Sequence, residues 1–144
     1  MSAGRALAAV AAGALLAAAG CGVQAPDLFL VHRSGSIPGA KLTLLVNDSG
    51  TVRCNGGRAK EISSAELLKA RGAVDDLTGT SKSPGPAKRD LRLPAGPDSI
   101  MRYVVRSEPG TVAFSDTSAG QPKVFFQLAA LTRELAQRVC GLPR

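Results

Sequence analysis

Apolar residues along this chain recur with the two short periods that build strands and helices. Leu28-Phe29-Leu30-Val31-His32-Arg33 is a compact apolar run of strand length. Ser34-Gly35-Ser36-Ile37-Pro38-Gly39 interrupts it, and two glycines and a proline make this stretch a loop. Lys41-Leu42-Thr43-Leu44-Leu45-Val46 then places Leu42, Leu44 and Val46 on one face of a second strand. Asn47-Asp48-Ser49-Gly50 turns the chain into a third, Thr51-Val52-Arg53-Cys54, so these segments predict an antiparallel meander. A second hairpin follows later. Met101, Tyr103 and Val105 alternate with Arg102, Val104 and Arg106, Glu108-Pro109-Gly110 turns, and Val112 with Phe114 alternate with Thr111, Ala113 and Ser115.

Between and after the hairpins the period changes. Ser63-Ser64-Ala65-Glu66 fits a capping box with Ser63 as N-cap and Glu66 three residues on, flanked by Ile62 and Leu67 at the spacing of a hydrophobic staple. The helix it opens carries Leu67, Ala70, Val74 and Leu77 as a narrow apolar stripe, weakened at Gly72. Prolines and glycines from Thr78 to Asp98 predict a long loop, with Leu91-Arg92-Leu93 as a short edge strand. Gln121-Pro122 places proline in the first turn of a last helix. Val124, Leu128, Leu131, Leu135 and Val139 form its stripe, Cys140 ends it and Gly141 caps it. The fold class predicted is α+β: an antiparallel sheet of roughly four to six strands with the two helices on one face.

The N-terminus carries an address. Arg5 is the one charge before Asp27, and Ala6 to Ala19 is an uncharged run of Ala, Leu, Val and Gly, the pattern of a secretory signal peptide. The run is short and alanine-rich for a membrane-spanning helix. It ends in Ala18-Ala19-Gly20-Cys21, which resembles a bacterial lipobox, in which the cysteine thiol receives an acyl chain such as palmitate and becomes the first mature residue. Ala17-Ala18-Ala19 also fits an A-x-A site, which would release the protein to the extracellular medium. The expected organisation is a signal peptide over 1–20, a lipidated tether over 21–27 and one domain over 28–144. The expected location is the outer face of the bacterial cell membrane, anchored through Cys21.

Cysteine parity agrees with that address. Three cysteines in an exported protein leave one over. A lipidated Cys21 accounts for it and leaves Cys54 and Cys140 as a disulfide pair. A bridge across so much of the chain is worth roughly 4 to 5 kcal/mol by loop-closure entropy.

Composition narrows the chemistry. With one His and three Cys the chain lacks the ligands of the common zinc sites, and no other cofactor motif stands out. The formal net charge is +7, yet there is no Trp and only one Tyr among the basic residues, a poor match to nucleic acid. The densest basic cluster, Lys82, Lys88, Arg89 and Arg92 with Asp90, is either solvated or turned toward anionic headgroups or wall polymers. His32 and Ser34 share a strand face, as a base and a nucleophile must, but no Gly-x-Ser-x-Gly elbow accompanies them. Asp75 and Asp76 are adjacent on a helix and point about 100° apart, which does not make an acid and base pair. Asn47-Asp48-Ser49 reads as a plain turn rather than a calcium loop, and Asn55-Gly56-Gly57-Arg58 as a loop rather than a phosphate cradle. The expectation is a protein that is not an enzyme.

A strand entering Arg33-Ser34-Gly35-Ser36-Ile37-Pro38-Gly39, a hairpin, a helix, a hairpin with Tyr103 and a closing helix after Phe114-Ser115-Asp116 together resemble the emfourin family of small bacterial inhibitors of thermolysin-like metalloproteases. The likeness spans roughly Leu28 to Val139. Ser36 stands where that family usually has a second glycine, and Pro38 where it has alanine. The resemblance implies an inhibitor-like binder of an extracellular metallopeptidase, with Arg33 to Gly39 as the contact loop and Ile37 as its apolar anchor. The other reading is a structural or accessory envelope lipoprotein that meets lipids, wall polymer or another envelope protein.

Overall fold

A computed structural model of the chain describes residue 1 and residues 22–143. The expected signal peptide and Cys21 lie outside the described residues. Six strands form one antiparallel sheet: β1 (Asp27–Gly35), β2 (Leu42–Asn47), β3 (Thr51–Cys54), β4 (Ala59–Glu61), β5 (Met101–Ser107) and β6 (Gly110–Ser115). The spatial order is β4-β3-β2-β1-β5-β6, so the N-terminal strand is central and joins the meander to the later hairpin. Two helices, α1 (Ser64–Thr78) and α2 (Lys123–Arg138), complete the α+β fold.

Alternation in the strands sets the core. Phe29 and Val31 of β1, Leu42, Leu44 and Val46 of β2, Val52 of β3, Tyr103 and Val105 of β5, and Val112 and Phe114 of β6 are buried in one cluster with the apolar faces of α1 and α2. Both helices therefore cover the same side of the sheet. Within the cluster Tyr103, Phe114 and Phe125 stack in series, with ring centroids 5.0 and 4.3 Å apart.

The capping box opens α1 as predicted. The Ser63 hydroxyl accepts from the Glu66 amide at 3.2 Å, and the Glu66 carboxylate accepts from the Ser63 amide at 2.7 Å. The buried stripe is turned from the predicted one: Glu66, Ala70, Ala73 and Leu77 face inward, and Val74 is only half-buried. The reason is the second helix, which presents Arg138 to Glu66 and lets a carboxylate occupy a core position. Pro122 is the N-cap of α2 rather than a residue of its first turn, and Val139 is its C-cap, so Cys140 lies just beyond the helix. Gly141, at φ +70°, turns the chain back so that the Leu142 amide donates to the Ala136 carbonyl at 2.9 Å.

Two edges differ in how far they were visible beforehand. Leu91-Arg92-Leu93 does form an edge, bridging in parallel to Ala113 of β6. β4 is an additional strand in which all three residues are exposed, so no apolar alternation announces it. It is held by backbone pairing to β3 and by Lys60, whose ammonium donates to the Val139 carbonyl at 2.9 Å.

Candidate functional site

Arg33 to Gly39 is not one loop. Arg33, Ser34 and Gly35 belong to β1, where Gly35 pairs with Met101 of β5. Arg33 is 2% exposed, because position 33 continues the inward alternation of Phe29 and Val31. Its guanidinium is spent on the chain that follows: Nε donates to the Ala40 carbonyl at 2.8 Å and a terminal nitrogen to the Gly39 carbonyl at 2.9 Å. Burial lowers its pKa, with Tyr103 acting in the opposite direction. The same burial raises the Tyr103 hydroxyl, which Asp116 pushes further up while Arg33 and Arg133 oppose it.

The exposed turn is thus Ser36 to Gly39, and it is braced from several sides. The Ser36 amide donates to the Ile100 carbonyl at 3.1 Å, and the Ala40 amide to the Ile37 carbonyl at 3.1 Å. Gly39 sits at φ +76°, and a β-carbon there would lie 2.7 Å from the Pro143 ring. A β-carbon on Gly35 would lie 2.3 Å from the Ile100 carbonyl oxygen. Ile37 is half-buried, so the expected apolar anchor is only partly exposed, and Ser36 and Pro38 form the outer surface. Asp116 stiffens the wall beside the turn, accepting from the amides of Ile100 and Met101 at 3.1 and 3.2 Å.

The opposite face of the sheet carries no helix among the described residues. Leu30, His32 and Ser34 of β1 point there, with Thr43 and Leu45 of β2 and Val104 of β5. The His32 Nδ1 lies 3.3 Å from the Thr43 hydroxyl. Register places cations around this centre: Arg106 lies beside Leu30, Leu30 beside Leu45, and Leu45 beside Arg53, while Arg102 lies beside Ser34. Arg53, Arg102 and Arg106 are exposed. Arg92, bridged to Ala113, is tied to Asp90 at 3.1 Å. Sequence reading passed over this set because the arginines are far apart along the chain. Only the alternation of Arg102 and Arg106 with buried Tyr103 and Val105 hinted at it.

The segment before β1 ends on that same open face. The Asn47 side-chain amide donates to the Ala25 carbonyl at 2.8 Å and to the Asp27 carboxylate at 3.0 Å, and the Asp48 amide donates to the Pro26 carbonyl at 2.9 Å. Gln24 and Ala25 line a shallow cavity with Leu45, Thr51, Arg53 and Ala59. Of the basic loop, Arg89 lines a hollow with Asp75 and Asp76 at the end of α1. The remaining cysteines, Cys54 at the end of β3 and Cys140 after α2, stand at disulfide distance with Cα atoms 5.8 Å apart. Among the described residues no helix is long and apolar enough to cross a membrane. No protein-family model matches the chain, and no curated protein or solved structure matches it either.

Proposed function

We propose that this chain is an exported, lipid-anchored domain of the bacterial envelope that acts by binding rather than by catalysis. The observation that carries the reading is the pairing of Cys54 with Cys140. It suits an oxidising compartment and leaves Cys21, directly after Ala18-Ala19-Gly20, as the odd cysteine of an otherwise paired set. The test is Cys21→Ala in the producing cell, with fatty-acid labelling and fractionation. Wild type takes up label and stays with membranes, whereas the variant loses the label and moves to the medium or remains an uncleaved precursor. Unchanged partitioning and cleavage overturn the anchor.

A second reading concerns what the domain binds. The bracing of Ser36 to Gly39 by Arg33, Ile100 and Pro143 favours a preorganised contact loop, since a rigid loop loses little entropy on binding. Such a loop suits the extracellular metallopeptidase that the family resemblance implies as partner, engaged through Ser36 and Pro38 with Ile37 behind them. The turn lies at the far end of β1 from the tether, so an anchor leaves it accessible.

A further inference from the structure

We infer that the open face of the sheet is a membrane-docking surface that lies against the headgroups of an anionic bilayer. The inference rests on the lipid-anchor reading and deepens it, because it says which side of the domain the anchor turns toward the lipid. Three observations converge on it. The tether is pinned by Asn47 to this face, and Gln24 rests beside Leu45 and Arg53. Gln24 is three residues from Cys21, a span of roughly 10 Å at full extension. An acyl chain on Cys21 therefore holds the bilayer within about one headgroup layer of this face and far from the outer sides of α1 and α2.

Chemistry fits the location. Arg53, Arg102 and Arg106 frame a flush strip of Leu30, Leu45 and Val104, and no ion pair is formed by these three arginines among the described residues. Long arginine stems cover apolar surface while their heads reach phosphates. Of the carboxylates on this side, Asp27 and Glu61 fall together in the row of Asn47 and Thr51 at one end of the strands, and Asp90 is paired with Arg92 at 3.1 Å. Asp27 there accepts from the Asn47 amide. A second copy of the chain is a poor occupant, since it would set arginine rows against each other. A nucleic acid would find no aromatic platform on this face. The docked domain leaves the Ser36 to Gly39 turn at the margin of the contact.

The mature chain from Cys21 provides the test. With Cys54 and Cys140 paired, Cys21 is the one thiol left for coupling to a maleimide lipid in vesicles, so the result does not depend on whether cells acylate it. The chain has no Trp, and Thr43→Trp on the open face or Phe126→Trp on exposed α2 supplies a single reporter. In vesicles with anionic lipid brominated near the headgroup, Thr43→Trp fluorescence falls at least twofold and Phe126→Trp does not. Replacing the anionic lipid by a zwitterionic one relieves the quenching. Arg102→Gln with Arg106→Gln lowers the docked-to-undocked ratio about thirtyfold, near fivefold per charge, and salt acts in the same direction. Lys123→Gln with Arg133→Gln, the same charge change on α2, leaves it unaltered. An unquenched Thr43→Trp, equal quenching of both reporters, or quenching indifferent to lipid charge overturns the inference. An unlabelled wild-type Cys21 in cells would sink the anchor reading alone.

Discussion

Removing the Glu66 carboxylate should destabilise the domain severely, because that one group both closes the cap of α1 and ties α1 to α2. Its side chain is 2% exposed. It accepts from the Ser63 amide at 2.7 Å and the Ser63 hydroxyl at 2.9 Å, closing the cap of α1, and from Arg138 Nε at 2.8 Å and a second Arg138 nitrogen, tying α1 to the end of α2. In Glu66→Ala the bond from the residue 66 amide to the Ser63 hydroxyl survives, and the Ser63 amide left without its acceptor costs about 1 kcal/mol. The void left by the side chain adds about 2 kcal/mol. Arg138 is 51% exposed and rehydrates, so its share is small. The total, about 3 kcal/mol, corresponds to a fall in Tm of roughly 12 °C for a domain of this size. Urea and thermal unfolding followed by circular dichroism measure it. Burial alone would raise the pKa of Glu66, but hydrogen bonds from Arg138 and Ser63 outweigh it and hold the carboxyl below its ordinary value. The depressed folded-state pKa means that the charge's contribution is complete above the unfolded-state pKa, about 4.3, and is lost as pH falls through the lower folded value. The stability gap between wild type and Glu66→Gln should accordingly be wide at pH 7 and close in strong acid. A cost below about 1 kcal/mol for Glu66→Ala, or a gap that does not change with pH, would refute this account.

Two further outcomes are expected. Reduction of the mature protein, or Cys54→Ser with Cys140→Ser, lowers stability by roughly 4 kcal/mol. Mass labelling that finds free thiols at both positions in the untreated protein would exclude the bridge. If the Ser36 to Gly39 turn contacts a peptidase, micromolar domain inhibits at least one member of a panel of secreted metallopeptidases. In that case Ser36→Arg raises the inhibition constant tenfold or more at constant Tm, whereas half-buried Ile37→Ala loses about 1 kcal/mol of stability as well. No inhibition across the panel rejects the peptidase reading.

The sequence predicts the fold best where the physics is local. A capping box names its own residues, period-two alternation assigns strand faces for β2, β5 and β6, and the Leu128, Leu131 and Leu135 spacing turns α2 onto the core before any partner is known. β1 was legible up to Arg33, and its continuation through Ser34 and Gly35 was not, since pairing with Met101 and Arg102 overrides the turn propensity of serine and glycine. β4 was invisible because an edge strand with three exposed residues is held by backbone hydrogen bonds, which every sequence can make.

Charge shows the boundary most sharply. Along the chain Arg33 and Glu66 look like surface residues; folded, both are buried, because Arg33 meets carbonyls of Gly39 and Ala40 and Glu66 meets Arg138. Whether a charged side chain can leave water depends on partners supplied by chain closure, a long-range property absent from any window of sequence. Arg53, Arg102 and Arg106 are the converse. Their exposure could be guessed one at a time, but their common face exists only because β1 and β2 stand between β5 and β3. Sequence by itself determined the α+β class and the cysteines available to pair, and it predicts an address at Cys21. The tertiary structure decided which charges are buried, which sheet face carries no helix among the described residues, and that the segment before β1 leaves from that face.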